Sequence, residues 1–181
     1  MIVFSETEEK KPVAATFTPD ETQLKEALKH LAFDVYHYRC YSRLHREGRL
    51  QTCPPVLMQA VIYALLLHLR LLLDFFYKQP RNDDIWVGHF RVFPEFDAAF
   101  PSQVLDPDPN DVRQVSFNLN KRLAHFTATR WTEAQKPMHF YDKYFTSIDK
   151  LLVTFEGALP ARLRQVLANT IHDWERKHPA I

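Results

Sequence analysis

The sequence predicts an all-α fold, a helical bundle of four to five main helices, and three observations carry that expectation. Leu24, Leu28, Leu31, Val35 and Tyr38 are spaced by four, three, four and three residues, the rhythm of one buried helical face. Glycine is scarce, with 3 against 12 prolines in 181 residues, whereas a chain of β-hairpins needs glycine at its turns. Several prolines stand where periodic stretches begin, at Pro19, Pro54, Pro55, Pro137 and Pro160, which is where a helix tolerates them.

Residues 1–17 read as an N-terminal arm, with mixed charges, Pro12 and no sustained period. Residues 18–181 then form a single helical-bundle domain. Thr18-Pro19-Asp20-Glu21 opens the first helix, with Thr18 as cap and Glu21 completing a capping box. That helix should run to Glu47 and stop at Gly48. The second helix starts at Pro54-Pro55 and continues to Lys78. It is apolar around most of its circumference, so it is expected at the centre of the bundle.

Residues 79–109 contain five prolines together with Trp86, Phe90, Phe93, Phe96 and Phe100. Such aromatic density is wrong for a solvated linker. The stretch is expected to be a packed excursion between helices two and three, with one or two short helical turns. A third helix follows from Asp111 to Thr129, with Val112, Val115, Leu119, Leu123 and Phe126 as its seam. The fourth runs from Met138 to Glu156 and ends at Gly157. The fifth spans Ala161 to Lys177, with Leu163, Val166, Leu167 and Ile171 turned inward.

Lys and Arg number 23 and Asp and Glu 22, a formal net charge of +1 that argues against a strongly basic nucleic-acid binder. No phosphate-cradling G-x-x-x-x-G-K-[ST] or G-x-G-x-x-G is present, which excludes the common nucleotide-loop enzymes. Cys40 and Cys53 are too few for a disulfide framework. The most apolar stretch, residues 54–76, is interrupted by His68, Arg70 and Asp74, so no membrane span is expected. These features predict a soluble, cytoplasmic protein with reduced thiols.

Polar residues on the second helix are unusually well aligned. At about 100° per residue, Gln59, Tyr63, Arg70, Asp74 and Tyr77 fall in a sector about 60° wide. This line is either the solvent edge of the helix or a polar junction with a neighbour, in which Arg70 and Asp74 pair four residues apart. On the third helix Asn118, Arg122, His125 and Thr129 line up beside the apolar seam. A histidine flanked by Arg and Asn can shuttle protons or hold a phosphate, or it can simply bridge two helices. Antiparallel packing would bring Arg70, Asp74, Tyr63 and Asn118 together near His125.

Asn120-Lys121-x-x-x-His125 resembles the Arg-x4–6-His motif of HEPN domains, compact and often dimeric helical bundles found in prokaryotic RNases, toxins and defence proteins. Leu-Arg-Leu-Leu-Leu-Asp-Phe-Phe-Tyr on the second helix, with Asn-Lys-Arg-Leu-Ala-His on the third, looks like uncharacterised bacterial HEPN-like proteins. The resemblance covers residues 20–156. It carries His125 over as the motif histidine and Lys121 as its variable polar position. Asn120 stands where the family's catalytic Arg would be, and Arg122 lies one residue further on. The resemblance implies a binding or regulatory module for RNA or for a partner protein in a bacterial toxin- or defence-type system. Its alternative is an active metal-independent endoribonuclease, with His125 in acid–base chemistry and Arg122 or Lys121 on phosphate charge. A bundle that serves only structural interactions is the third reading.

Glu26, His30, Asp34, His37 and Tyr41 share one face of the first helix, a spacing that suits a divalent metal. That face lies opposite Leu24, Leu28, Leu31 and Val35, where solvent is expected. No metal or other cofactor is therefore expected. Cys53, at a helix start, has the setting of a lowered thiol pKa but no partner base. Arg39, Arg43, Arg46 and Arg49, with Lys25 and Lys29, form a basic run suited to a nucleic-acid backbone or to plain solvation. A homodimer is expected, on the ground that the aromatic residues 85–100 leave an apolar surface to cover.

Overall fold

The structure, a computed structural model, describes residues 17–77, 84–100, 119 and 142–179. Among the described residues every regular element is helical: α1 (Glu21–Arg46), α2 (Pro55–Tyr77), the short α3 (Pro94–Ala99), α4 (Asp142–Ala158) and α5 (Ala161–Lys177), with 3-10 turns at Arg49–Thr52 and Val87–Val92. This is the all-α bundle expected from the apolar spacing. The expected third long helix and the start of the fourth lie outside the described residues, except that Leu119 is helical and fully buried.

The start of α1 is set two residues later than Thr18. Asp20 is the N-cap: its carboxylate accepts the Gln23 N–H at 2.8 Å, and the Gln23 side chain accepts the Asp20 N–H at 2.8 Å. Asp caps as well as Thr, and its charge also suits the positive end of the helix dipole. The stop falls as expected. Gly48 takes a left-handed φ of 68°, and its N–H reaches the His45 carbonyl at 3.1 Å. The reverse holds at Gly157, which lies inside α4 instead of ending it, because helical bonding continues to the Leu159 N–H on the Phe155 carbonyl.

Leu24, Leu28, Leu31, Val35 and Tyr38 are buried, as their spacing requires. Among the described helices, however, α1 is the hub: it packs along both α5 and α2. The expectation that α2 lies at the centre fails for its first half, where Val56 is 83% exposed. Apolar composition alone does not place a helix inside. The second half does the packing, through Leu65, Leu66, Leu69, Leu72, Leu73 and Phe76. α2 is long and apolar enough to cross a membrane by length and composition, and about a third of that apolar stretch is buried, through the packed residues of its second half.

Hydrogen bonds from Tyr38, Tyr36 and Arg162 are among the ties between α1 and the C-terminal helices. The Tyr38 hydroxyl lies 2.9 Å from the Phe145 carbonyl and 3.1 Å from Asp149 Oδ1. Burial, followed by the Asp149 charge, pushes its pKa far above the ordinary phenol value. The Tyr36 hydroxyl donates to the His178 carbonyl just beyond α5. Arg162 forks onto Glu21 at 3.0 and 3.1 Å, and that bond, with Lys25, holds the Glu21 carboxyl at about 2.

The aromatic excursion is packed, as its composition predicts. Phe90, Phe96 and Phe100 are buried, and all three approach Phe155 of α4, with ring centroids 5.3, 5.7 and 6.2 Å away. Edge-to-face geometry of this kind adds to simple area burial. These rings therefore do not supply the exposed surface that motivated a dimer. Among the described residues the exposed large apolar side chains are Val56, Leu57, Leu67 and Leu71 of α2, with Phe33 of α1, Val92 of the excursion and Val153 of α4.

Candidate functional site

α1 and α2 run antiparallel, so the middle of each faces the other. On α2, His68 is the one ionisable side chain among the buried residues of that helix. Its Nδ1 lies 2.9 Å from Oδ1 of Asp34 on α1. A buried imidazole needs a partner, and a carboxylate on the facing helix supplies it. His37 stacks on His68 with ring centroids 5.1 Å apart and planes 13° from parallel. Tyr41, Phe33 and Trp174 close around the pair, and α5 thereby reaches the same cluster. Burial lowers the His37 pKa, and the facing His68 and His178 lower it further.

These contacts overturn the expectation that the Glu26–Tyr41 face of α1 is solvated along its length. Its N-terminal part is: Glu26 and His30 are exposed, and Glu26 pairs with Lys29 at 2.6 Å. Further along, Asp34, His37 and Tyr41 meet α2 and α5. Asp34 is thus turned to His68 and His37 to an aromatic stack, and not together toward Glu26 and His30. No group of His, Cys, Asp and Glu suited to a metal ion occurs among the described residues.

Beyond Asp34 the two helices diverge and leave a groove of about 690 Å³. Its α1 wall is Thr22, Gln23, Glu26, Ala27, His30, Leu31 and Asp34. Leu71, Asp74 and Phe75 of α2 face them, and Phe17, Asp84, Ile85 and Trp86 close the end. Trp86 is held in place from below: a Cβ on Gly88 would collide with its ring. Four carboxylates and one imidazole thus stand among aromatic and aliphatic walls. Such a mixture of polar and apolar lining is the general composition of a small-molecule site.

The polar line on α2 is partly buried, and the residues of the third helix expected to meet it lie outside the described residues. Arg70 Nε is 3.8 Å from Asp74 Oδ2, with side chains 26% and 19% exposed. Tyr63 instead receives the Gln59 amide at 3.4 Å. Asp74 reaches the groove and Tyr63 does not line it. Asn118, Asn120, Lys121, Arg122 and His125 lie outside the described residues. The Cys53 thiol sits 3.6 Å from the Arg49 carbonyl, and Cys40 is likewise a free, half-buried thiol. Sequence reasoning missed His68 as a partner of Asp34, and Trp86 and Asp84 as groove residues. A histidine interrupting an apolar helix was the available signal for the first. Nothing in the spacing signals the others, because residues 84–86 reach the site through tertiary packing.

No protein-family model matches the chain, and no curated protein or solved structure resembles it significantly.

Proposed function

We propose that the chain is a HEPN-like helical module of bacterial, cytoplasmic type that binds and regulates a partner protein without cutting RNA. The motif around His125 supports the type, with Asn120 in the place of the catalytic Arg. The choice of protein over RNA rests on the basic run of α1. Arg39 pairs with Glu156 and Arg46 with Asp149, each at 2.6 Å, while Arg43 and Arg49 approach Glu47 at 4.0 and 3.8 Å. Guanidinium groups already paired with carboxylates gain less from a phosphate than free ones, because each exchanges one anion for another. A homodimer belongs to the same proposal, and the exposed Leu57, Leu67 and Leu71 of α2 are the surface it would cover.

Fluorescence anisotropy with a labelled single-stranded RNA tests the choice of partner. The expected result is no binding that strengthens as salt is lowered. Salt-sensitive binding that disappears in an Arg39→Ala, Arg46→Ala double variant would restore RNA as the partner.

A further inference from the structure

We propose that the last turn of α5 is an acid-released clasp on α1: when His37 takes up a proton, Trp174 and His178 come away while the rest of α5 stays docked. This device goes beyond the partner-protein reading and does not depend on it.

Two unequal attachments hold α5 to the bundle. Up to Ile171 it is anchored by the buried Leu163, Leu167 and Ile171, and its first turn by the Arg162 fork on Glu21. A carboxyl held at about 2 stays charged in mild acid, so that fork survives. Beyond Ile171 every residue of the helix is exposed except the half-buried Trp174. Its ring meets Phe33, Tyr36 and His37 of α1, with centroids 5.1, 6.2 and 5.9 Å away. His178 stacks on Trp174 at 5.2 Å, and the Tyr36 hydroxyl donates to the His178 carbonyl. A helix end held by so small a cluster opens more readily than the apolar seam before it.

His37 is the titratable group at the centre of that cluster. It meets Trp174 and Phe33 as well as the stacked rings of His68 and Tyr41, which lie 5.1 and 5.5 Å away. Among the described residues, the other ionisable groups around it are Asp34, Tyr36, Cys40 and Tyr41 of α1, His68 of α2, Glu175 of α5 and His178 just beyond it. Cys40 and Glu175 act on Tyr36, and Cys40 also on Tyr41. Asp34 is the one carboxylate bearing on His37, and His68 already holds it at 2.9 Å. A proton on His37 thus puts charge in a half-buried stack beside two other imidazoles. Burial opposes that charge most, followed by His68 and His178. Opening the last turn returns the ring to water and moves His178 away. The closed form therefore binds the proton less tightly than the open one. The clasp is closed above the ordinary imidazole value of about 6.5 and opens as pH falls through and below it.

Acrylamide quenching of the Trp174 lifetime reads the clasp, in a Trp86→Phe, Trp131→Phe background where Trp174 is the single tryptophan. Quenching should rise several-fold between about pH 7.5 and 5, while circular dichroism keeps the helical signal of neutral pH. With His37→Gln or His37→Phe it should stay at the neutral-pH level throughout. Tyr36→Phe, which loses the tie to His178, should open at a higher pH than the parent. The proposal is overturned if quenching does not rise, or if it rises only as helicity is lost. It is equally overturned if the His37 variants open like the parent, or if Tyr36→Phe opens at the parent's pH. None of these outcomes alters the anisotropy result that bears on RNA.

Discussion

His68 of α2 and Asp34 of α1 meet at 2.9 Å in the middle of an otherwise apolar helix pair. The contact joins residues 34 positions apart in sequence and sets the register in which α1 and α2 lie. Sliding either helix by one turn would bring the imidazole opposite His30 or His37 in place of the carboxylate. The pair also marks the boundary between the packed part of the interface and the groove. It accounts for how a helix of leucines and phenylalanines finds one partner position instead of several.

Removing Asp34 should therefore be felt beyond the loss of one hydrogen bond. Asp34→Ala leaves the buried His68 nitrogen without its carboxylate, an expected loss of about 1–3 kcal/mol. His68→Phe with Asp34→Ala together should lose less than the sum of the two. Urea denaturation of the four proteins in that cycle gives the coupling, and strict additivity would remove the pair's role in register.

Stability should fall on mild acidification. Burial lowers the pKa of both His37 and His89 in the folded chain, so the unfolded chain binds protons first. Their contribution is complete above the unfolded value of about 6.5 and is lost as pH falls through and below it. The urea midpoint should drop between about pH 7.5 and 5, and His37→Phe should flatten that slope. An equal slope in parent and variant would assign the acid sensitivity elsewhere.

Two glycines should respond to alanine with opposite signs. Gly48 sits at φ 68° with open space around it, so Gly48→Ala meets backbone strain alone, about 1 kcal/mol. Gly157 lies inside α4, also with open space, and Gly157→Ala should stabilise by about 0.5–1 kcal/mol. Thermal denaturation of both variants checks the pair of signs.

Tyr38→Phe isolates the tie between α1 and α4. The ring remains packed, while the Phe145 carbonyl and Asp149 lose the hydroxyl they share. A loss of about 1–2 kcal/mol is expected, and an unchanged denaturation midpoint would show that the ring alone holds the two helices.

Much of this fold was legible because helical period and end signals are local. Leu24 to Tyr38 announced the buried face of α1, Gly48 its stop, and Pro160 and Lys177 the limits of α5. What was not legible depended on which helix faces which. The leucine-rich α2 promised a central position, yet its first half is exposed and α1 became the hub. Asp34 and His37 lay opposite the main leucine seam, and only the approach of α2 and α5 covered them. The groove needed three separate segments to converge, and no spacing within any one of them records that convergence.

The central proposal is that this chain binds a partner protein and does not cut RNA. Incubating the purified protein with single-stranded RNA in EDTA, alongside His125→Ala, tests it most directly. The account predicts that the RNA stays intact with both proteins over the time in which an active ribonuclease would degrade it. Cleavage by the parent that disappears in His125→Ala would contradict the account and make the protein a metal-independent endoribonuclease.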